Sequence, residues 1–175
     1  MNHAMTSLRV LVATAALSSL PAPVAQAAQA DYERTPVLMV HGYFVIDDAG
    51  SATWASMKKR LVEDGWPEEY VATPSFSEVR GCDPEHALEI QAWVEDLVAK
   101  TGFDKVDIVA HSEGCLNTMH YLKDLCGVSR VRRFVALAGA FHGTVVACVD
   151  PFTCGAAEMC IGSGPDGWKE NAGLV

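Results

Sequence analysis

The stretch "VDIVAHSEGCLNTMHYLKDLCG", Val106 to Gly127, joins a short apolar run to an amphipathic run through a single serine. Val106 to Ala110 has the length and β-branched character of a buried strand, and the residues after Ser112 follow a helical period. A serine at such a junction can be held on a sharp turn that lifts its hydroxyl into a cleft, provided that small residues flank it. Ala110 and Gly114 supply the pattern small-x-Ser-x-small, with strand, turn and helix in the required order. Ser112 is therefore the candidate nucleophile; the alternative is a serine that caps the following helix.

Outward from this junction the chain alternates between apolar runs and amphipathic stretches. Pro36 to Val40 reads as a buried strand that ends at His41 and Gly42, and Trp54, Met57, Leu61 and Val62 line one side of a helix that stops near Gly65. A weaker strand lies around Tyr70 to Thr73. Asp83 and Pro84 open a helix, with Asp as its cap and Pro at the first helical position, and this helix buries Ala87, Ile90, Val94, Leu97 and Val98 before Gly102 ends it. Phe134 to Gly139 supplies a fourth strand. This alternation predicts an α/β fold, a parallel sheet with helices on both faces. After Gly139 the pattern lapses into a loop rich in cysteine and glycine.

A serine nucleophile needs donors aimed at the negative oxygen that develops during acyl transfer. The backbone amide of Glu113 is one candidate, and the amide of Tyr43, in the loop that follows His41 and Gly42, is the other. The position of His41 beside the glycine turn favours an orienting role over that of a base, with plain loop packing as the alternative.

The chain has 175 residues, half of them hydrophobic, enough for one domain with a substantial core. Arg9 is followed by the apolar run "VLVATAALSSL" and by two small-residue sites, at Ala25 to Ala27 and Ala28 to Ala30. Residues 1–30 are therefore expected to form a signal peptide, leaving a single domain over 31–175 that is exported to the extracellular medium or the periplasm. The apolar run is too short and alanine-rich to favour a permanent membrane span, so no stable membrane insertion is expected after cleavage. A net charge of -9 gives no electrostatic case for binding nucleic acid or an anionic membrane. All six cysteines (82, 115, 126, 148, 154 and 160) lie in the exported part, which favours disulfides. Their spacing lacks the close pairs and histidines of a zinc finger, so no metal is expected, and a serine mechanism needs no cofactor. The late trio, Cys148, Cys154 and Cys160, is expected to staple the loop, with one partner elsewhere. Cys115 and Cys126 fall on the Ser112 helix where burial is plausible, and Cys115 has no base beside it that would make it a reactive thiol.

"VLMVHGY", "VDIVAHSEG", "LAGAFHGT" and "CGAAEMCIGSGP" resemble, in order, landmarks of the small secreted bacterial lipases of class 2, α/β-hydrolases with Ala in place of the first glycine of the nucleophile turn. The resemblance runs from about Pro36 to Asp166. It implies that Ser112 attacks a carboxylic ester and forms an acyl-enzyme, that Tyr43 and Glu113 give the oxyanion amides, and that triacylglycerols or shorter esters are hydrolysed at a largely open site. Glu113 stands where Met or Gln is common in that group, and a carboxylate near the cleft would oppose the oxyanion charge.

The same resemblance sets an order of Ser, then acid, then His, with the acid after the strand that follows the cysteine-rich loop and the histidine after one further strand. The sequence ends at Val175, directly after the loop, so the expectation is a truncated α/β-hydrolase-like sheet lacking the last strands, with Phe134 to Gly139 left as an apolar edge. Beyond Ser112 lie His120, well into the helix, and His142, whose loop makes it the candidate base. In the resembled lipases the corresponding "HGT" histidine lies near the cleft without being the base. Asp150 and Asp166 are candidates to orient an unorthodox base, or else are solvated loop carboxylates. The competing reading is a catalytically inactive secreted hydrolase fragment or lipid-surface binding protein; an acyltransferase or polyester-degrading esterase would use the same turn.

Overall fold

Four short apolar runs lie side by side in a fully parallel sheet of order β2-β1-β3-β4, where β1 is Val37–Val40, β2 is Val71–Ala72, β3 is Val106–His111 and β4 is Val131–Leu137. The structure, a computed structural model, describes residues 35–43, 49–150 and 152–161. The expected signal peptide at 1–30 and Asp166 lie outside the described residues.

All of β1 is buried, as a continuous apolar run in a sheet covered on both faces should be. Its side chains alternate between two cores. Leu38 and Val40 face the larger one, with Ile108 and Ala110 of β3 and with Ala87, Ile90, Val94 and Leu97 of helix α2 (Asp83–Thr101); Val37 and Met39 face the other, with Trp54 of helix α1 (Ala49–Glu63). Helix α3 (Glu113–Asp124) adds Cys115 and Tyr121 to the larger core. The expected helices on both faces are present. In α1 the expected apolar side is only partly used, because Trp54 is buried and Leu61 packs beside it while Met57 stays exposed.

Two boundaries differ from those read in the sequence. Cys82 occupies the N-cap of α2 and makes no side-chain cap, and Asp83 is the first helical residue, fully buried, with Pro84 behind it. The end at Gly102 is as expected: it adopts φ 74° and its N–H bonds Val98 O. Strand β4 starts earlier than Phe134 because Arg132 grips Asp107 of β3 through two bonds of 3.0 and 2.8 Å, and it stops before Gly139 because Ala138 turns to φ 51°. Among the described residues β4 pairs on one side only, with β3.

The late cysteines form two bridges, Cys82–Cys154 and Cys148–Cys160, so the trio does staple the loop and Cys82 is its outside partner. Cys82–Cys154 ties the start of α2 to the start of the short helix α4 (Cys154–Met159). Cys115 is a buried free thiol, but Cys126 lies beyond the end of α3 with φ 58° and is exposed, against the expectation of burial.

Candidate functional site

The turn between β3 and α3 is held in a strained backbone. Ser112 has φ 55° and ψ -126°, a conformation that costs a side-chain-bearing residue on the order of 1–3 kcal/mol and persists only where its surroundings impose it. Those surroundings are specific. Ser112 N–H donates to Leu137 O of β4 at 3.0 Å, and Ser112 O accepts from Cys115 N–H at 3.1 Å as the helix begins. The serine occupies the N-cap position yet makes no side-chain cap hydrogen bond, so the helix-capping alternative falls away.

The loop after β1 reaches this turn by backbone contact. A Cβ on Gly42 would lie 2.7 Å from Ser112 Cβ and 2.9 Å from His111 O, and a Cβ on Gly114 would strike the carbonyl oxygens of His41 and Val40. Only glycine at 42 and 114 lets the two segments touch. The Glu113 amide lies beside Gly42, which leads into Tyr43.

His41 holds that loop from beneath. Its Nδ1–H donates to Gly42 O at 2.7 Å while Nε2 accepts from Phe76 N–H at 3.2 Å, an arrangement that requires the neutral tautomer. Burial pushes its pKa below the ordinary value, in keeping with that neutrality. Phe76 meets the His41 ring edge-on and stacks on His86 at 3.9 Å.

Glu113 corrects a sequence expectation. Its side chain is buried, under Gly155, where any Cβ would strike Glu113 Oε1, and Oε1 has no hydrogen-bond partner. Desolvation, and then the charge of Glu158, push its pKa to about 8. At neutral pH the carboxyl is protonated, so it places no negative charge beside the Glu113 amide.

Ser112 opens into a cleft of about 240 Å³ whose walls include Tyr43, Thr144, Val146, Val149 and Met159. The Tyr43 hydroxyl spans it, donating to Asp150 Oδ2 at 2.6 Å and meeting Thr153 Oγ1 at 2.9 Å. Asp150, expected to orient a base or lie in solvent, instead fastens the Tyr43 ring to the late loop. His120 pairs with Asp124 on its own helix at 2.8 Å, and His142 is exposed in the loop before Thr144. Cys115 has its pKa raised to about 11 by burial, which leaves it a thiol. The group of potential metal donors among the described residues is Cys82, Cys154 and Glu158, and its two sulfurs are bonded to each other. The Tyr43–Asp150 tie and the Glu113 niche had no local signal in the sequence, since each joins segments far apart in the chain.

Residues 34–163 match the lipase (class 2) family. The chain is 33% identical over 118 residues to a triacylglycerol lipase of Vibrio cholerae, a match that takes in 65% of this chain and 35% of that protein, so it spans about a third of that relative's length. In structure it is similar to the lipase BlEst2 of Bacillus licheniformis in its propeptide form, with a TM-score of 0.62 and 16% identity over 75% of this chain and 31% of that one. It is also similar to the phospholipase PlaB of Legionella pneumophila, with a TM-score of 0.58 and 15% identity over 80% of this chain and 35% of that one. At these identities the structural likenesses establish a common fold.

Proposed function

The chain belongs to the class 2 lipase family, and from that membership we propose that it carries the nucleophile and oxyanion site of an exported carboxylic ester hydrolase acting on triacylglycerols or shorter esters. The observation that carries this reading is Ser112 itself. Its strained backbone is kept, its hydroxyl is not spent on a cap, and it faces a cleft with apolar walls. Ser112 Oγ attacks the ester carbonyl carbon, and the oxygen that becomes negative is received by the amides of Tyr43 and Glu113. Collapse expels the alcohol and leaves an acyl-enzyme, which water then hydrolyses. His41 is a positioning residue in this scheme: its bond to Gly42 O sets the direction of the loop that presents the Tyr43 amide. The serine proton requires a base, and His142 is the histidine to test first.

The experiment pairs a serine-reactive fluorophosphonate with a short-chain p-nitrophenyl ester. Labelling at Ser112 and turnover, both lost in Ser112→Ala, support the reading; labelling that survives in Ser112→Ala sinks it. Loss of turnover in a folded His142→Ala variant assigns the base, and unchanged turnover excludes His142. A second reading, a lipid-surface binding protein without turnover, is favoured by the exposed Val146 and Val149 in the walls of the Ser112 cleft. A folded sample with neither labelling nor turnover would select it.

A further inference from the structure

Helix α2 reaches the loop beside Ser112 through one buried ring. Phe76 lies between β2 and α2, and its backbone N–H donates to His41 Nε2 at 3.2 Å, on the side of the imidazole opposite the Nδ1–H that holds Gly42 O. The aim of that N–H depends on where the Phe76 side chain is held. His86 stacks flat on it, with centroids 3.9 Å apart and planes 19° from parallel, while Trp93 leans on it and His41 meets it edge-on, each at 4.9 Å. His86 and Trp93 stand seven residues apart on α2, two turns along one face, so the helix presents both rings to the same loop.

His86 is the closer of the two and is 1% exposed. Its Nε2–H donates to Glu78 O at 2.7 Å, and its Nδ1 is buried with no hydrogen-bond partner among the described residues. Glu78 O also accepts the Gly81 N–H at 2.9 Å, so that carbonyl does not need His86 to be satisfied. The bond instead fixes the angle of the ring. The backbone at Gly81 closes on the same edge, where any Cβ would lie 2.9 Å from Nε2. A ring held in this way offers Phe76 a rigid flat face.

We infer that His86 is a positioning residue for the oxyanion loop, acting through Phe76 and His41. The contacts are continuous: His86 sets the Phe76 ring, the Phe76 N–H holds His41 Nε2, His41 Nδ1–H holds Gly42 O, and Gly42 leads into the Tyr43 amide. Without the His86 face Phe76 is free to rock, and with it the N–H that keeps the His41 ring oriented. The outer side of the loop stays fastened, because Ser77 N–H and Ser77 Oγ–H each donate to the Glu89 carboxylate at 2.9 Å. A change at His86 therefore alters aim without detaching the loop. The effect on turnover rests on the ester-hydrolase reading, whereas the hold on His41 rests on the contacts alone. An oxyanion donor acts on the transition state more than on the bound ester, so its misdirection lowers kcat and leaves KM.

The test compares His86→Leu, His86→Phe and Leu97→Ala in the full oxidised chain, with p-nitrophenyl butyrate as substrate and amide hydrogen exchange followed residue by residue by NMR. His86→Leu removes the flat face, and His86→Phe keeps it while giving up the bond to Glu78 O. Leu97→Ala weakens the core under the same helix about three turns away. In His86→Leu, kcat should fall about tenfold or more with KM within about twofold of the parent. The Phe76 amide should lose its protection while the buried amides of α2 keep theirs. His86→Phe should recover most of the loss, and Leu97→Ala should lower the urea midpoint and leave kcat and KM at the parent values. An unchanged kcat in His86→Leu, an equal fall in Leu97→Ala, a fall in His86→Phe as deep as in His86→Leu, or a loss confined to KM overturns the inference. If His86→Leu does not fold, His86→Gln, which keeps an N–H for Glu78 O and lacks the ring, is held to the same outcomes. A parent without turnover sinks the hydrolase reading and leaves the exchange measurement to decide this one: protection lost at Phe76 sustains the hold on His41, and protection unchanged ends it.

Discussion

The backbone of Ser112 and the carboxyl of Glu113 are adjacent in sequence, and each stores a different kind of instability. At Ser112 the φ of 55° is strain imposed by the contacts of Gly42 and Gly114, and glycine would relieve it. Ser112→Gly and Ser112→Ala both remove the hydroxyl, so their comparison isolates the backbone. Ser112→Gly should be the more stable by about 1 kcal/mol in urea unfolding, and equal midpoints would mean the turn is not strained. At Glu113 the cost is protonic. Its carboxyl keeps a proton in the folded state up to about pH 8 but loses it near the ordinary 4.5 when unfolded. Between those values the folded state binds more protons, so stability falls as pH rises, and above about pH 8 the loss is complete. Glu113→Gln should remove this dependence and gain on the order of a few kcal/mol over the parent at pH 8.5, with little gain at pH 4.5. A parent and variant whose midpoints fall in parallel would refute the buried proton. Ser112 was legible because its signal is local: a small residue on each side, a strand before and a helix after. The fate of the Glu113 side chain was not legible, because a glycine in α4, far along the chain, provides the space it fills.

At the scale of elements, the helix α3 is clamped from two sides. The β1 loop abuts its N-terminus through Gly42 and Gly114, and the seam between the starts of α2 and α4 covers Glu113. That seam is closed by Cys82–Cys154 across 72 residues of chain, while Cys148–Cys160 closes only 12. In the chain-entropy account the longer loop is the more stabilising, at about 4 kcal/mol against about 3. Replacing Cys82 and Cys154 by serine should therefore lower the unfolding free energy more than replacing Cys148 and Cys160. It should also loosen the cover over Glu113. The reverse order in urea midpoints would show that the seam carries little of the stability. Sequence reading expected the late trio to staple the loop with one partner elsewhere and left the pairing open, and it could not choose Cys82, because that choice depends on how α2 and α4 meet in space. The displaced start of β4 has a similar origin: Arg132 reads as a solvated charge until its bidentate partner Asp107 is found on the neighbouring strand.

Across the whole molecule, the sheet order follows from patterns that are visible along the chain. Continuous apolar runs in β1 and alternation in β3 place those strands at the centre, and β2 and β4 at the rims, with the larger core beneath α2 and α3. The parallel α/β class was legible for this reason, since periodicity reports which faces each element must bury. Rim exposure has a consequence of its own. Val135 and Leu137 of β4 are 46% and 39% exposed, and among the described residues the strand's far side pairs with nothing. An apolar strand edge in that state is a template for another chain, and natural sheets blunt such edges with lysine. The chain should therefore associate as its concentration rises. Val135→Lys, at an exposed position with no catalytic part in the reading above, should raise the monomer fraction in sedimentation while leaving the unfolding free energy within about 0.5 kcal/mol of the parent. Because β4 also receives the Ser112 N–H through Leu137 O, strand addition at this edge would press on the turn that carries the nucleophile. A Val135→Lys chain that remains as associated as the parent would show that the edge is covered, and would free the Ser112 turn from any dependence on it.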